Sequence, residues 1–335
     1  MKKLLSIVLV VFLLVFSSGC DSLNRTKVAY TVYPIGYLLK RIGQNKIDPV
    51  QIQSNDMVQL SKPIDNFYSI LKKSQYFFHI GDLEPYYKLR LSDIDSSKVK
   101  NIDLASMNAI YNFKRYSLVK IDNKDTYIEG SYYNDDSFNE IDMPDKDLFL
   151  WLDPIGMISM AKDIVETLSG NYIEESDFFG NNYKKLEEEL INLDAEYQKL
   201  SSKIKKGNQT IKFVSISNSF GTWQKAFGIQ VYPVSLSRYG ALPNDQQLRI
   251  IKQRIKDDGV KYIAYEPNMS KEMVDLFNAL QQELNLTRVQ LSNLSSLTEN
   301  QFNNNNDYFS IMYENLTVLE NMAVDKVDNI RAEAN

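Results

Sequence analysis

Apolar residues recur along this chain in two alternating periods. Short runs rich in β-branched and aromatic residues, Lys27 to Val32, Tyr76 to Ile80, Ile211 to Ile216 and Val260 to Tyr265, read as strands. Helical spacing follows three of them, through Ile35, Leu38, Leu39 and Ile42, through Phe220, Trp223 and Phe227, and through Met273, Leu276 and Leu280; the second run leads into a proline-containing turn. Strands alternating with helices imply right-handed β-α-β units and parallel sheets covered on both faces. The expected fold is α/β: two lobes, each with a parallel sheet flanked by helices, joined by one long linking helix.

The linking helix is read from Tyr183, Leu186, Leu190, Leu193, Tyr197, Leu200 and Ile204, whose spacing alternates between three and four residues. Such a repeat puts a narrow apolar seam on an otherwise charged rod, and it lies between the two strand-and-helix sets. Just before it, Asp153-Pro154 reads as an N-cap followed by proline at the first helical position, opening a helix on Ile155, Ile158, Ala161, Ile164 and Leu168. These elements divide the chain into an N-terminal lobe (27–175), the linking helix (176–206), a C-terminal lobe (207–326) and a tail (327–335). Residues 121–147 carry nine acidic residues against two lysines with almost no periodicity, and read as a solvated acidic loop with weak cation attraction as the alternative.

The N-terminus changes the picture from fold to location. Lys2 and Lys3 precede an uncharged run from Leu4 to Phe16, then Ser17-Ser18-Gly19-Cys20. The run is too short for a comfortable membrane span and has the layout of an export signal (1–19) whose cut site ends in cysteine. The expectation is a lipoprotein in which Cys20 carries the lipid, residues 20–26 form a tether, and the protein faces outward from a cell membrane, in the manner of a Gram-positive surface protein. Cys20 is the only cysteine in the sequence, which leaves no internal disulfide. Hydrophobic residues make up 44% and charged residues 24%, as in ordinary folded proteins, and the formal charge of -5 argues against nucleic acid as a partner.

Catalytic motifs do not emerge. No Gly-x-Ser-x-Gly elbow, Gly-x-Gly-x-x-Gly or phosphate-loop string is present, so neither an enzyme nor a bound cofactor is expected. The one histidine, His79, ends a predicted strand, as does Glu266. Because open α/β sheets bind ligands at the carboxyl ends of their strands, both are candidate cleft residues, with a satisfied structural role as the alternative for each.

Six local strings in order give a resemblance: Thr31-Val32-Tyr33-Pro34 with Ile42-Gly43, Gly81-Asp82-Leu83-Glu84-Pro85, Trp151-Leu152-Asp153-Pro154, Ser219-Phe220-Gly221, Leu297-Thr298-Glu299, and Asp307-Tyr308-Phe309-Ser310-Ile311-Met312 with Asn315-Leu316. Over roughly residues 27–322 the chain resembles the zinc- and manganese-binding solute-binding lipoproteins of ABC transporters, including the streptococcal adhesin-like ones. The resemblance implies two lobes facing a shallow cleft, one rigid connecting helix, and delivery of a solute to a membrane permease. It also implies four metal-ligand positions, and these fall on Gln59, on Phe149, on Ser217 and on Ser292, where the family carries histidines and carboxylates. Zinc and manganese want imidazole, thiolate or carboxylate, so this set predicts no usual metal site. Arg238 and Tyr239 stand where relatives tend to carry acidic residues, and with Gln59, Ser217, Asn218 and Ser292 they suit an anionic or hydrogen-bonding solute of unknown identity, with an exposed arginine that meets no ligand as the alternative. The expected function is capture of a small solute for an ABC permease from a lipid anchor in the bilayer. The alternatives are an adhesin or accessory lipoprotein without transport, and divalent-metal uptake through replacement carboxylates such as Glu266 or those of residues 121–147.

Overall fold

The computed structural model describes residues 25–332, apart from Met107 and Asn208; the predicted signal and Cys20 lie outside the described residues. Strand β1 (Thr26–Tyr30) leads through helix α1 (Tyr33–Gly43) to β2 (Ile47–Gln51), and α2 (Phe67–Lys73) precedes β3 (Tyr76–His79). Helix α3 (Leu91–Ser97) then returns the chain to β4 (Lys100–Asp103). The four strands form an all-parallel sheet in the order β2-β1-β3-β4. Pro49 sits in β2, an edge strand, the one place in a sheet where a missing N–H is tolerated.

Next comes an antiparallel hairpin, β5 (Arg115–Ile121) and β6 (Lys124–Gly130), turning on Asp122 and Asn123, both with positive φ. Two consecutive left-handed residues make the turn that matches strand twist in a two-residue hairpin, and Asp and Asn are among the side chains that tolerate it. Helices α4 (Pro154–Asn171) and α5 (Ser176–Lys206) follow. The second lobe holds β7 (Lys212–Ser215), α6 (Thr222–Phe227), β8 (Gln230–Pro233), α7 (Asp245–Asp257), β9 (Tyr262–Tyr265), α8 (Lys271–Glu283) and β10 (Thr287–Gln290). Its parallel sheet runs β10-β9-β7-β8, and α9 (Glu299–Asn303) and α10 (Tyr308–Ala332) close the chain. The predicted tail at 327–335 is helical as far as Ala332, because no glycine or proline stands there to stop it.

The rod is the predicted one. Leu186, Leu190, Leu193, Tyr197, Leu200 and Ile204 of α5 are buried, and Tyr183 is half-buried. They belong to one apolar cluster that takes in Val28, Leu38 and Phe78 of the first lobe and Phe213, Trp223 and Ile311 of the second. A turn at Leu150–Leu152 is the knot between lobes. The Trp151 indole donates to Asn293 O at 2.8 Å, the Trp223 indole donates to Leu152 O at 2.9 Å, and the Tyr308 hydroxyl donates to Trp151 O at 2.7 Å. Asp153 then caps α4 through Ile155 N at 2.9 Å, with Pro154 at the start of the helix; Ile155 itself stays half exposed rather than joining the core.

The acidic stretch departs from its reading as a solvated loop. Its carboxylates face solvent for the most part, but its aromatics anchor it. Tyr132, Tyr133 and Phe138 are buried in a second cluster with Val214, Ile216, Tyr232 and Ile251 of the second lobe. Tyr133 donates to Pro233 O at 2.9 Å, Gln224 donates to the Tyr132 hydroxyl at 2.8 Å, and Gln230 donates to Tyr116 O at 2.8 Å, tying the hairpin beside edge strand β8. Aromatics spaced irregularly among acids carry no periodic signal, which is why the sequence pattern hides this strap. The chain therefore crosses to the second lobe, returns at Leu148 and crosses again along α5.

Truncating Leu193, fully buried in the seam of α5, is expected to cost about 2–5 kcal/mol. Chemical denaturation of Leu193→Ala checks this, and a loss well below 1 kcal/mol would contradict a shared core.

Candidate solute-binding cleft

Parallel strands place their carboxyl ends on one side of each sheet, and here the two sides face each other. From the first lobe come Gln59, in a turn at Val58–Leu60, and the segment after β3; from the second come Ser217, Asn218 and Ser219 after β7 and Glu266 after β9. Gln59 donates from Nε2 to Asn218 Oδ1 at 2.7 Å, closing the space between lobes with a neutral bond. The Asn218 amide nitrogen donates in turn to Leu236 O at 3.2 Å.

Behind that bridge lies a buried chain of polar groups. The Glu266 carboxylate, fully buried, accepts from Ser217 N at 2.9 Å, from the Ser217 hydroxyl and from Asn293 Nδ2 at 3.1 Å. The Ser217 and Ser219 hydroxyls are 2.6 Å apart. Burial raises the Glu266 carboxyl, opposed by these hydrogen bonds. Asn293 Oδ1 accepts from Ser295 N and Oγ, and Ser295 O accepts from Tyr33 N at 3.1 Å, so the chain ends back on the first lobe.

In front of the bridge is a cavity of about 20 Å³ lined by Gln59, Phe149, Asp147, Asn218, Asp82 and Arg238 among others. That is room for about one water-sized body. Gln59 Oε1 is buried there without a hydrogen-bond partner. Asp147 is buried too, accepts from Phe149 N at 3.3 Å, and has its carboxyl pushed up to about 7 by burial. Gly221 makes room for it: a Cβ at that position would stand 2.2 Å from Asp147 Oδ2.

A scan against family models matches residues 28–322 to the ZnuA family, described as zinc-uptake complex component A, periplasmic. The chain belongs to that family. Among curated relatives, zinc-binding protein AdcA of Streptococcus pyogenes is 28% identical over 173 residues, 52% of this chain and 32% of that one. Zinc-binding lipoprotein AdcA of Streptococcus pneumoniae is 27% identical over 174 residues, 52% of this chain and 33% of that one. The chain thus matches about a third of the length of these relatives. Solved structures share the fold at lower identity. The Zn(II)-bound ZnuA-like domain of S. pneumoniae AdcA has a TM-score of 0.66 at 20% identity, covering 90% of this chain and 99% of that one. The laminin-binding protein Lmb of Streptococcus agalactiae has a TM-score of 0.69 at 19% identity, covering 89% and 99%.

On this ZnuA-family scaffold, the residues singled out in the sequence do not all gather in one place. Gln59, Phe149, Asn218 and Arg238 line one cavity, while Ser217 and Glu266 form the polar chain behind it. Arg238, read as a cleft cation or as an exposed arginine without a ligand, is mostly buried and already paired. Its guanidinium holds Asp82 at 2.6 Å and Asp142 at 3.1 Å, clasping the second lobe to the first segment after β3 and to the strap. Tyr239 is half exposed. Ser292 spends its groups locally, its N–H and C=O paired with Asn315 at 2.9 Å each and its hydroxyl accepting from Leu294 N.

His79 stands apart. Its ring lies between Phe77 and Tyr87, at 5.4 and 4.3 Å between centroids, and its nitrogens meet Gly81 O at 2.9 Å and the Tyr87 hydroxyl at 3.2 Å. Strand alternation puts it on the Phe77 face, in a packed layer rather than the cleft, and burial lowers its pKa despite the Asp103 charge and the Gly81 carbonyl, which act the other way. The sequence reading missed Asp147 as a cleft residue, because it counted the residue among nine acids of a loop. The one available signal was its place two residues before Phe149.

A carboxyl whose pKa rises on folding destabilises the folded state wherever it is charged. Asp147 and Glu84, both pushed up to about 7 chiefly by burial, should therefore give stability that is greatest below about pH 4 and declines as pH rises through 7. Asp147→Asn is expected to remove part of that decline, measured as the denaturation midpoint across this range. An unchanged slope would show that Asp147 does not titrate in this way.

Proposed function

We propose that this protein is the solute-binding component of an ABC importer, anchored to the outer face of a cell membrane by lipid on Cys20, and that its cleft lacks the usual zinc or manganese site. Membership of the ZnuA family supports the importer role, with the family's permease as partner. The carrying observation for the cleft is the neutral bond between Gln59 and Asn218 beside the ring of Phe149. A tight zinc or manganese site needs about four donors of suitable charge and geometry. Here the bridge uses the Asn218 carbonyl oxygen, Phe149 offers no donor, and the Ser217 and Ser292 hydroxyls are engaged within their own lobe. Among the described residues no group of three His, Cys, Asp or Glu is placed to hold a metal ion. A solute much larger than water requires Gln59 and Asn218 to part.

One observation favours a second reading, divalent-metal uptake through replacement carboxylates. Asp147 and Glu266 are both buried about the cleft, one from each lobe's side, and each has a raised pKa that a cation would reverse. Their burial is opposed by local hydrogen bonds rather than by a positive charge.

Elemental analysis of protein purified without chelator, followed by calorimetric titration with zinc and manganese, separates the two readings. The expected result is well under one metal per chain and no sub-micromolar isotherm. One tightly held ion, lost in Asp147→Asn or Glu266→Gln, would establish the second reading instead.

The anchor has its own test. No helix among the described residues is long and apolar enough to cross a membrane, so membrane attachment rests on Cys20. Metabolic labelling with a fatty acid should mark the wild type and leave Cys20→Ala unlabelled; equal labelling would sink the lipoprotein reading.

A further inference from the structure

We propose a second site, for a small phosphate-bearing anion, at the opposite end of the second lobe's sheet from the cleft. The cleft lies past the carboxyl ends of β7 and β9. The second site is built at their amino ends, from Lys212 at the start of β7, Gln230 at the start of β8, Asp258 ahead of β9, the last turn of α5 and the hairpin strand β5. A four-residue strand rises about 13 Å, so the two sites share no side chain and do not depend on one another.

Charge is the first argument. Two adjoining hollows, of about 500 and 200 Å³, are both walled by Arg115 and Ser117. Their linings bring together Arg115, Lys205, Lys212 and Arg254 against only Asp257 and Asp258, a surplus of cations on a chain whose formal charge is -5. One oxygen, Asp258 Oδ2, receives Arg254 Nε at 2.9 Å, Arg115 Nη2 at 3.2 Å and the Tyr232 hydroxyl at 2.6 Å, and Lys212 Nζ donates to Asp258 O at 2.8 Å. Arg115 and Arg254 thus share one carboxylate oxygen while Lys205 stands beside them in the lining, and closely placed like charges stay costly in a partly buried setting.

Unmet donors are the second argument. The Arg115 side chain is only 12% exposed, yet its Nε is buried without a hydrogen-bond partner. A buried guanidinium N–H left unpaired is an expensive arrangement, and the part of Arg115 that lines both hollows is what an oxyanion would meet. Arg115 also stacks over the Tyr232 ring at 5.3 Å, which fixes the plane of its fork. A guanidinium fork matches phosphate oxygens two at a time, Lys205 adds a point charge, and Ser117, Gln209 and Thr210 line the smaller hollow with neutral hydrogen-bonding groups. A hollow of 200 Å³ accommodates a phosphate, a pyrophosphate or a short phosphomonoester.

Isothermal titration of the full-length protein at low ionic strength with pyrophosphate, and with citrate as the carboxylate arm, tests the site. The expected result is saturable 1:1 binding of pyrophosphate, at least tenfold weaker binding of citrate, and at least tenfold loss of pyrophosphate affinity in Lys205→Glu and in Arg254→Gln. Both side chains are exposed enough for substitution without loss of the fold, whereas Arg115→Ala removes a packed group. Thermal unfolding of each variant in the absence of anion verifies that it is folded. No saturable heat, affinity unchanged in both variants, or citrate binding as tight as pyrophosphate would each overturn the proposal.

Discussion

A single apolar core passes through both lobes along the seam of α5, and most of the architecture follows from that continuity. Two-lobed proteins whose lobes have separate cores can close by bending a linker, because little packing is lost when the lobes part. Here Leu186 to Ile204 pack against strands and helices of both lobes, and α5 has neither proline nor a glycine pair at which to bend between them. The indoles of Trp151 and Trp223 each donate across the junction to a backbone carbonyl. Parting the lobes would expose apolar surface and leave buried donors unpaired, both at substantial cost.

The strap adds a second fastening that the rod alone would not give. Residues 113 to 143 leave the first lobe, bury Tyr132, Tyr133 and Phe138 in the second lobe's core, and hand Asp142 to Arg238 before returning. Asp82, from the first lobe, shares the same guanidinium. Between these fastenings burial raises the pKa values of Asp147 and Glu266, and among the described residues no cation is paired with either. A protein that carries uncompensated acids at a lobe junction holds latent electrostatic strain there, released by protonation or by an arriving cation.

The rod, the first strands of each lobe and the Asp153-Pro154 helix start were legible because each rests on local periodicity or capping chemistry. β2, β4, β8 and β10 were not, since runs of four or five residues such as Ile47 to Gln51, interrupted by Pro49, carry too little pattern to stand out. The hairpin was hidden by its own acids, although Asp122-Asn123 is a recognisable two-residue turn. Within the cleft, Gln59, Phe149 and Ser217 were found through likeness to a family rather than through any chemical signature of their own, and Asn218 as the polar neighbour of Ser217. Arg238 was read from its charge and its place against the family, and its pairing depends on Asp82 and Asp142, distant residues that only the fold brings near. His79 was left open between a cleft contact and a structural histidine, because ending a strand says nothing about which face a side chain takes; the packed ring between Phe77 and Tyr87 fits the structural role.

Whether the Gln59 to Asn218 bridge occupies the space that a metal ion would need decides what the cleft can hold. Crystals grown with excess zinc, measured at the zinc absorption edge, address this directly. The prediction is an intact bridge near 2.7 Å with no anomalous peak between Gln59, Phe149 and Asn218. A full-occupancy peak there, bonded by the carboxylates of Asp147 or Glu266 with the bridge broken, would contradict it.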